Sequence, residues 1–126
     1  MRLLLDTATL IFSIAAPERL SKRSYDALRR LENIREISSV SLAEIAIKNT
    51  LGKLKMPADS IREAIQDMML RVLPFTADHA YRLFELPFHH RDPFDRQIIA
   101  QAIAEGVVIV TPDEKFSLYH GLKVLW

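Results

Sequence analysis

Two short apolar runs in this chain each lead into an aspartate. Leu3-Leu4-Leu5 is followed by Asp6, and Val107-Val108-Ile109-Val110-Thr111-Pro112 by Asp113. Runs this short, rich in branched side chains and free of polar alternation, read as strands buried on both faces of a parallel sheet. In open α/β sheets, ligands bind at the carboxyl ends of such strands. Two carboxylates delivered there from opposite ends of the sequence make an acidic site the leading expectation for function.

The intervening sequence alternates between helical and strand patterns. Thr7 to Ala15 predicts a short apolar helix, interrupted by Pro17. Ser21 is placed to cap a helix through about Glu32, with Tyr25, Leu28 and Leu31 at helical spacing. Glu36 to Val40 is the next strand, and Ser41 opens a helix carrying Ile45, Ile47 and Leu51 that Gly52 ends. Further helices fit Asp59 to Leu70 and Thr76 to Phe84, with a short strand at Val72 to Phe75 between them. Asp92-Pro93 begins a helix with a capping carboxylate and a proline in its first position, and Gly106 closes it. Val107 to Val110 and Lys123 to Trp126 supply the last two strands. The alternation predicts a three-layer α/β/α sandwich with a mainly parallel central sheet. Its 126 residues suit one domain, 1–126.

Composition removes several classes of function. There is no cysteine, which excludes disulfides, thiolate metal sites and a cysteine nucleophile. A net charge of +1 means that any attraction to phosphates must come from a local patch. All three glycines fall where elements end, so no glycine-rich phosphate loop is present. No apolar run approaches the ~20 residues that cross a bilayer, and no leader pattern precedes the first strand. The expectation is a cytoplasmic protein.

Two further carboxylates look misplaced. Glu44 precedes Ile47 and Leu51 by three and seven residues, which puts it on the apolar stripe of its helix. Asp95 shares a face with Ile99 and Ala102. Both are expected in first turns, where free backbone N–H groups and the helix dipole favour anions. Each has a plainer explanation: Ser41 to Glu44 reads as a capping box, Asp92 to Asp95 as an aspartate version of it, and Asp6 and Asp113 as caps of their own. Singly, capping is the better reading of each. Together, four carboxylates converging on one sheet end call for a cation to offset their repulsion. An all-oxygen set suits Mg²⁺ or Mn²⁺, which can activate water against a phosphoryl group.

The motifs that carry these residues resemble those of PIN-domain ribonucleases, and more narrowly the VapC-type toxins of bacterial toxin-antitoxin pairs. They are Leu3-Leu4-Leu5-Asp6-Thr7, Ser41-Leu42-Ala43-Glu44-Ile45, His90-Arg91-Asp92-Pro93-Phe94-Asp95-Arg96 and Val110-Thr111-Pro112-Asp113. The resemblance spans the chain, with Asp92 to Asp95 followed by Ile98-Ile99-Ala100-Gln101-Ala102 as its most specific part. Pro112 departs from it, standing where an acidic or small residue is often found, but leaves Asp113 in place. The resemblance implies metal-dependent hydrolysis of RNA without a covalent intermediate. Asp6 and Asp95 would be the main ligands of one or two Mg²⁺ ions, Glu44, also counted among the metal-site residues, would hold or orient the metal-bound water, and Asp113 would complete the site directly or through water. Thr7 and Thr111 match the hydroxyl residues beside the first and last aspartates. A VapB-like antitoxin, a homodimer, and DNA contact only through the antitoxin are implied in the same way.

Other residues have weaker claims. Asp92 reads as a cap that adds negative potential. Arg91 and Arg96 are placed to contact phosphate, and for Arg96 a salt bridge to a site carboxylate is an equal reading. His89 and His90 read as exposed loop surface, and Lys48, Lys53 and Lys55 as a solvated helix face or a basic rim. Met68-Met69-Leu70 reads as core, and Trp126 as the closure of the sheet edge or a dimer contact. A response-regulator receiver matches poorly, because it needs an acidic pair after the first strand where Asp6-Thr7-Ala8 stands. A haloacid-dehalogenase phosphatase fails on Ala8, where its second aspartate would fall. A catalytically silent PIN-fold binding module acting through antitoxin and operator complexes is the alternative from another class.

Overall fold

The computed structural model describes all 126 residues, Met1 to Trp126. Five strands form one sheet: β1 (Arg2–Leu5), β2 (Ile34–Ser38), β3 (Arg71–Leu73), β4 (Val108–Val110) and β5 (Lys123–Leu125). Their order is β3-β2-β1-β4-β5, and all four pairings are parallel. The sheet is thus wholly parallel. Helices α1 (Thr7–Ala15) and α2 (Lys22–Arg29) link β1 to β2, α3 (Ser39–Thr50) and α4 (Ala58–Asp67) link β2 to β3, and α5 (Ala77–Leu83) and α6 (Pro93–Glu105) link β3 to β4. A 3₁₀ turn, Glu114–Leu118, precedes β5.

Successive strand residues point to opposite faces, and the core divides accordingly. Leu3, Leu5 and Val110 pack with Leu10, Leu28, Ile45 and Ile61 on one side. Leu4 and Ile109 pack with Ile98, Ile99, Ala102 and Phe116 on the other. Two buried faces explain why β1 and β4 show no polar alternation. The result is the three-layer sandwich that the sequence predicts.

Chain order reverses between β1 and β4. From β1 the chain moves outward through β2 and β3, then returns to the other side of β1 with β4. The crevice at the carboxyl ends of those two strands is the switch point where such sheets bind ligands. Asp6 follows β1 directly, and its N–H donates to Val110 O at 3.1 Å, tying it to the end of β4.

Several boundaries differ from the sequence expectation. β2 ends at Ser38, whose hydroxyl accepts the Val40 N–H at 3.0 Å, so Ser38 rather than Ser41 caps α3. Of the serines available, the one at the end of the strand ladder is used. Glu44 consequently lies in the second turn, without the dipole support expected of the first. Its stripe also differs: Ile47 and Leu51 are exposed, and Val40, Ser41 and Ile45 are the buried members. α2 stops at Arg29, leaving Leu31 exposed, and α4 stops at Asp67, so Met69 turns outward while Leu70 stays in the core.

Gly106 ends α6 in the left-handed region at φ 66°. Alanine there is expected to cost about 1–2 kcal/mol, read as a lower urea midpoint at unchanged slope.

Candidate acidic site

Asp6 is built into the end of β1 by both oxygens. Oδ1 accepts the Thr9 N–H at 2.8 Å, and Oδ2 accepts the Thr111 hydroxyl at 2.6 Å. Thr111 Oγ1 also accepts the Asp113 N–H at 3.0 Å, so one hydroxyl joins the first aspartate to the last. Thr7, by contrast, faces α3 and donates to Ser41 Oγ at 2.9 Å. It supports the packing of α1 on α3 rather than touching a carboxylate. Asp6 is only 3% exposed, and burial raises its pKa despite the bonds that oppose the rise.

Glu44 is equally buried. Oε2 accepts from Lys48 Nζ at 2.6 Å, whereas Oε1 is buried with no partner. A buried carboxylate oxygen without a donor is costly unless something positive completes it. Lys48 is therefore tied to the site and is not simply part of a solvated face; Lys53 and Lys55 are exposed, as expected.

Asp92 caps α6 by accepting the N–H groups of Phe94 and Asp95 at 2.9 and 3.0 Å. The reciprocal bond of a capping box, from Asp92 N–H to the Asp95 carboxylate, is absent. Asp95 is pushed up to about 7, by burial first and then by the charges of Asp92, Asp6, Glu44 and Asp113. That combination places Asp6, Glu44 and Asp113 within electrostatic reach of Asp95. Asp113 Oδ1 accepts the Lys115 N–H at 2.9 Å, capping its 3₁₀ turn. Capping thus accounts for Asp6, Asp92 and Asp113, but not for Glu44 or Asp95.

No three acidic or histidine side chains stand in a ready-made metal-holding group. Even so, the donor set suits a hard cation: it is all oxygen, one buried oxygen lacks a partner, and one carboxyl has its pKa pushed up to about 7 by burial and by its acidic neighbours. The residues that could hold such an ion are Asp6, Glu44, Asp95 and Asp113.

Arg96 does not make the salt bridge to a site carboxylate that was one of its two expected readings. Its guanidinium donates to Pro87 O at 2.9 Å and Leu86 O at 3.3 Å and lies 5.0 Å over the Phe88 ring. It organises the loop before α6 and does not pair with a site carboxylate. His90 corrects another expectation, being buried and not exposed: Nδ1 lies 2.7 Å from Tyr119 Oη and Nε2 3.7 Å from Asp95 Oδ2. Burial lowers its pKa, opposed by Asp113 and Asp92. The only sequence signal for His90 was its place two residues before Asp92. His89 is exposed, and with His90, Arg91 and Lys115 it lines an open pocket bordered by Asp92, Asp95 and Asp113. Trp126 packs on Phe12 at the sheet edge, with ring centroids 6.4 Å apart.

The family model described as the PIN domain matches residues 3–122. Among solved structures, the chain is similar to one in the crystal structure of VapBC2 from Rickettsia felis bound to a DNA fragment from their promoter. Identity there is 24%, over 99% of this chain and 98% of that one, with a TM-score of 0.76. It is also similar to a chain of DNA-bound VapBC from Salmonella typhimurium, at 22% identity over 99% and 97%, TM-score 0.68. A chain of VapBC-1 from nontypeable Haemophilus influenzae gives 18% identity over 99% and 97%, TM-score 0.70. No curated protein sequence matches.

Proposed function

The chain belongs to the PIN-domain family, and from that premise we propose that it is a metal-dependent endoribonuclease, a toxin held inactive by a cognate antitoxin. The observation that carries this reading is that Asp95, half-buried near the switch point, is pushed up to about 7 by burial first and then by the charges of Asp92, Asp6, Glu44 and Asp113. A site so negative disfavours a phosphodiester until a cation is present. Mg²⁺ or Mn²⁺ is the class that fits the oxygen donors, and it supplies activation of water and polarisation of a phosphoryl oxygen.

The protein groups divide the remaining work. Asp6, fixed by Thr9 and Thr111, is the rigid anchor for the cation. Asp95 gives up its proton and becomes the second main ligand. Lys48 holds Glu44 by Oε2, leaving the unpartnered Oε1 as the group that would orient the attacking water and take up its proton as the P–O ester bond breaks. Asp113 completes the site from the end of β4, directly or through water. Arg91 and Lys115, in the adjoining pocket, suit contact with the RNA backbone.

A VapB-like antitoxin is supported by the similar structures, which include VapBC complexes and a toxin-antitoxin complex from Klebsiella pneumoniae. A cytoplasmic single-domain protein, dimeric and reaching DNA only through that antitoxin, completes the reading; no helix is long and apolar enough to cross a membrane. Expression without the antitoxin is expected to arrest growth, and the Asp95→Ala protein to be harmless at equal abundance. Equal toxicity from that variant would count against Asp95.

A further inference from the structure

His90 and Tyr119 take no part in the chemistry above, although both are buried beside it. Their hydrogen bonds can be followed in one direction. Arg96, clamped by the Leu86 and Pro87 carbonyls, directs an N–H at Tyr119 Oη, 3.5 Å away. Arg96 cannot accept a proton, and His90 Nδ1 at 2.7 Å is the one acceptor in hydrogen-bond reach of the Tyr119 hydroxyl, so the Tyr119 proton is assigned to Nδ1. With Nδ1 accepting, a neutral ring carries its proton on Nε2. Nε2 is buried, has no hydrogen-bond partner, and lies 3.7 Å from Asp95 Oδ2. The ring is held in place by Phe116 and Tyr119, with centroids 5.6 and 5.5 Å away.

We propose that His90, fixed in one tautomer by Tyr119, is a positioning residue that holds the Asp95 carboxylate toward Asp6, Glu44 and Asp113. The role rests on the reading of Asp95 as a cation ligand. A small rotation of Asp95 closes the gap to Nε2–H, leaving its other oxygen for the cation. Outer partners of this kind are worth about 10–100-fold in metal affinity.

The test is a Mn²⁺ titration of the full chain beside a long-range ¹H–¹⁵N spectrum of its histidines. His90→Leu is expected to weaken Mn²⁺ binding about tenfold or more, and His90→Gln, whose amide can donate near the Nε2 position, to recover most of it. Wild-type His90, assigned by its absence from the His90→Gln spectrum, is expected to carry its proton on Nε2, and Tyr119→Phe to mix the tautomers. Unchanged affinity in His90→Leu, equal losses in His90→Leu and His90→Gln, or a wild-type proton on Nδ1 each overturn the proposal. Absence of Mn²⁺ binding by the wild type overturns both it and the metal reading. Mn²⁺ binding that responds to His90 without any RNA cleavage sinks the nuclease reading alone.

Discussion

Asp6→Asn is expected to slow RNA cleavage at least about 100-fold, in the range found when a group stabilising transition-state charge is removed, without weakening the fold. Asparagine caps helices as well as aspartate does, and its Oδ1 can keep the bond from Thr9 N–H. Its amide replaces a carboxylate that is 3% exposed and costs desolvation. With divalent ions removed, the variant should therefore melt at the wild-type temperature or above it. A ligand that binds only the folded state raises stability by RT ln(1 + [L]/Kd), so added Mn²⁺ should raise the wild-type melting temperature and leave the variant nearly unchanged. Loss of activity together with a lower melting temperature would point to structural damage instead.

The contribution of Asp95 and Asp6 to the stability of the metal-free protein is expected to fall as pH rises from about 4 to 7. Burial and neighbouring charges raise the folded-state pKa of Asp95 from the usual carboxylate range to about 7, and Asp6 is shifted the same way. Between those values these carboxyls bind more protons in the folded state than in the unfolded one, so their part of the unfolding free energy falls with pH and levels off above about 7. A cation competes with the same proton. Mn²⁺ affinity should therefore climb as pH approaches 7 and flatten beyond it. Thermal melts in chelator from pH 5 to 8, repeated on Asp95→Asn, check the sign. His90, whose pKa burial lowers, contributes in the opposite sense over this range, so the comparison decides: the wild-type slope should be the more negative, and equal slopes would contradict the burial of Asp95.

Asp6 and Asp113 were readable from sequence because an apolar run with no alternation leaves one interpretation for the charge that ends it. Asp92 and Gly106 were legible because helix ends need specific chemistry: a side-chain acceptor at one end and a left-handed residue at the other. The start of α3 was not, since three serines, Ser38, Ser39 and Ser41, are equivalent to local propensity and only the strand register selects among them. Glu44 was found for a partly wrong reason. Ile47 and Leu51 are exposed, but Ile45 and Ser41 bury the same side of the helix. His90 escaped because its burial depends on Tyr119 and Phe116, which lie far along the chain and arrive only when the 3₁₀ turn packs on α6. The salt-bridge reading of Arg96 fails because its partners are backbone carbonyls, which leave no trace in side-chain patterns.

The most direct test of the four-carboxylate site is cleavage of RNA by the purified wild-type protein in three conditions: with Mn²⁺ present, with excess EDTA, and after Mn²⁺ is restored. Cleavage in the first and third conditions, with none in the second, is the predicted result. Cleavage that continues unchanged in EDTA would contradict the proposed site.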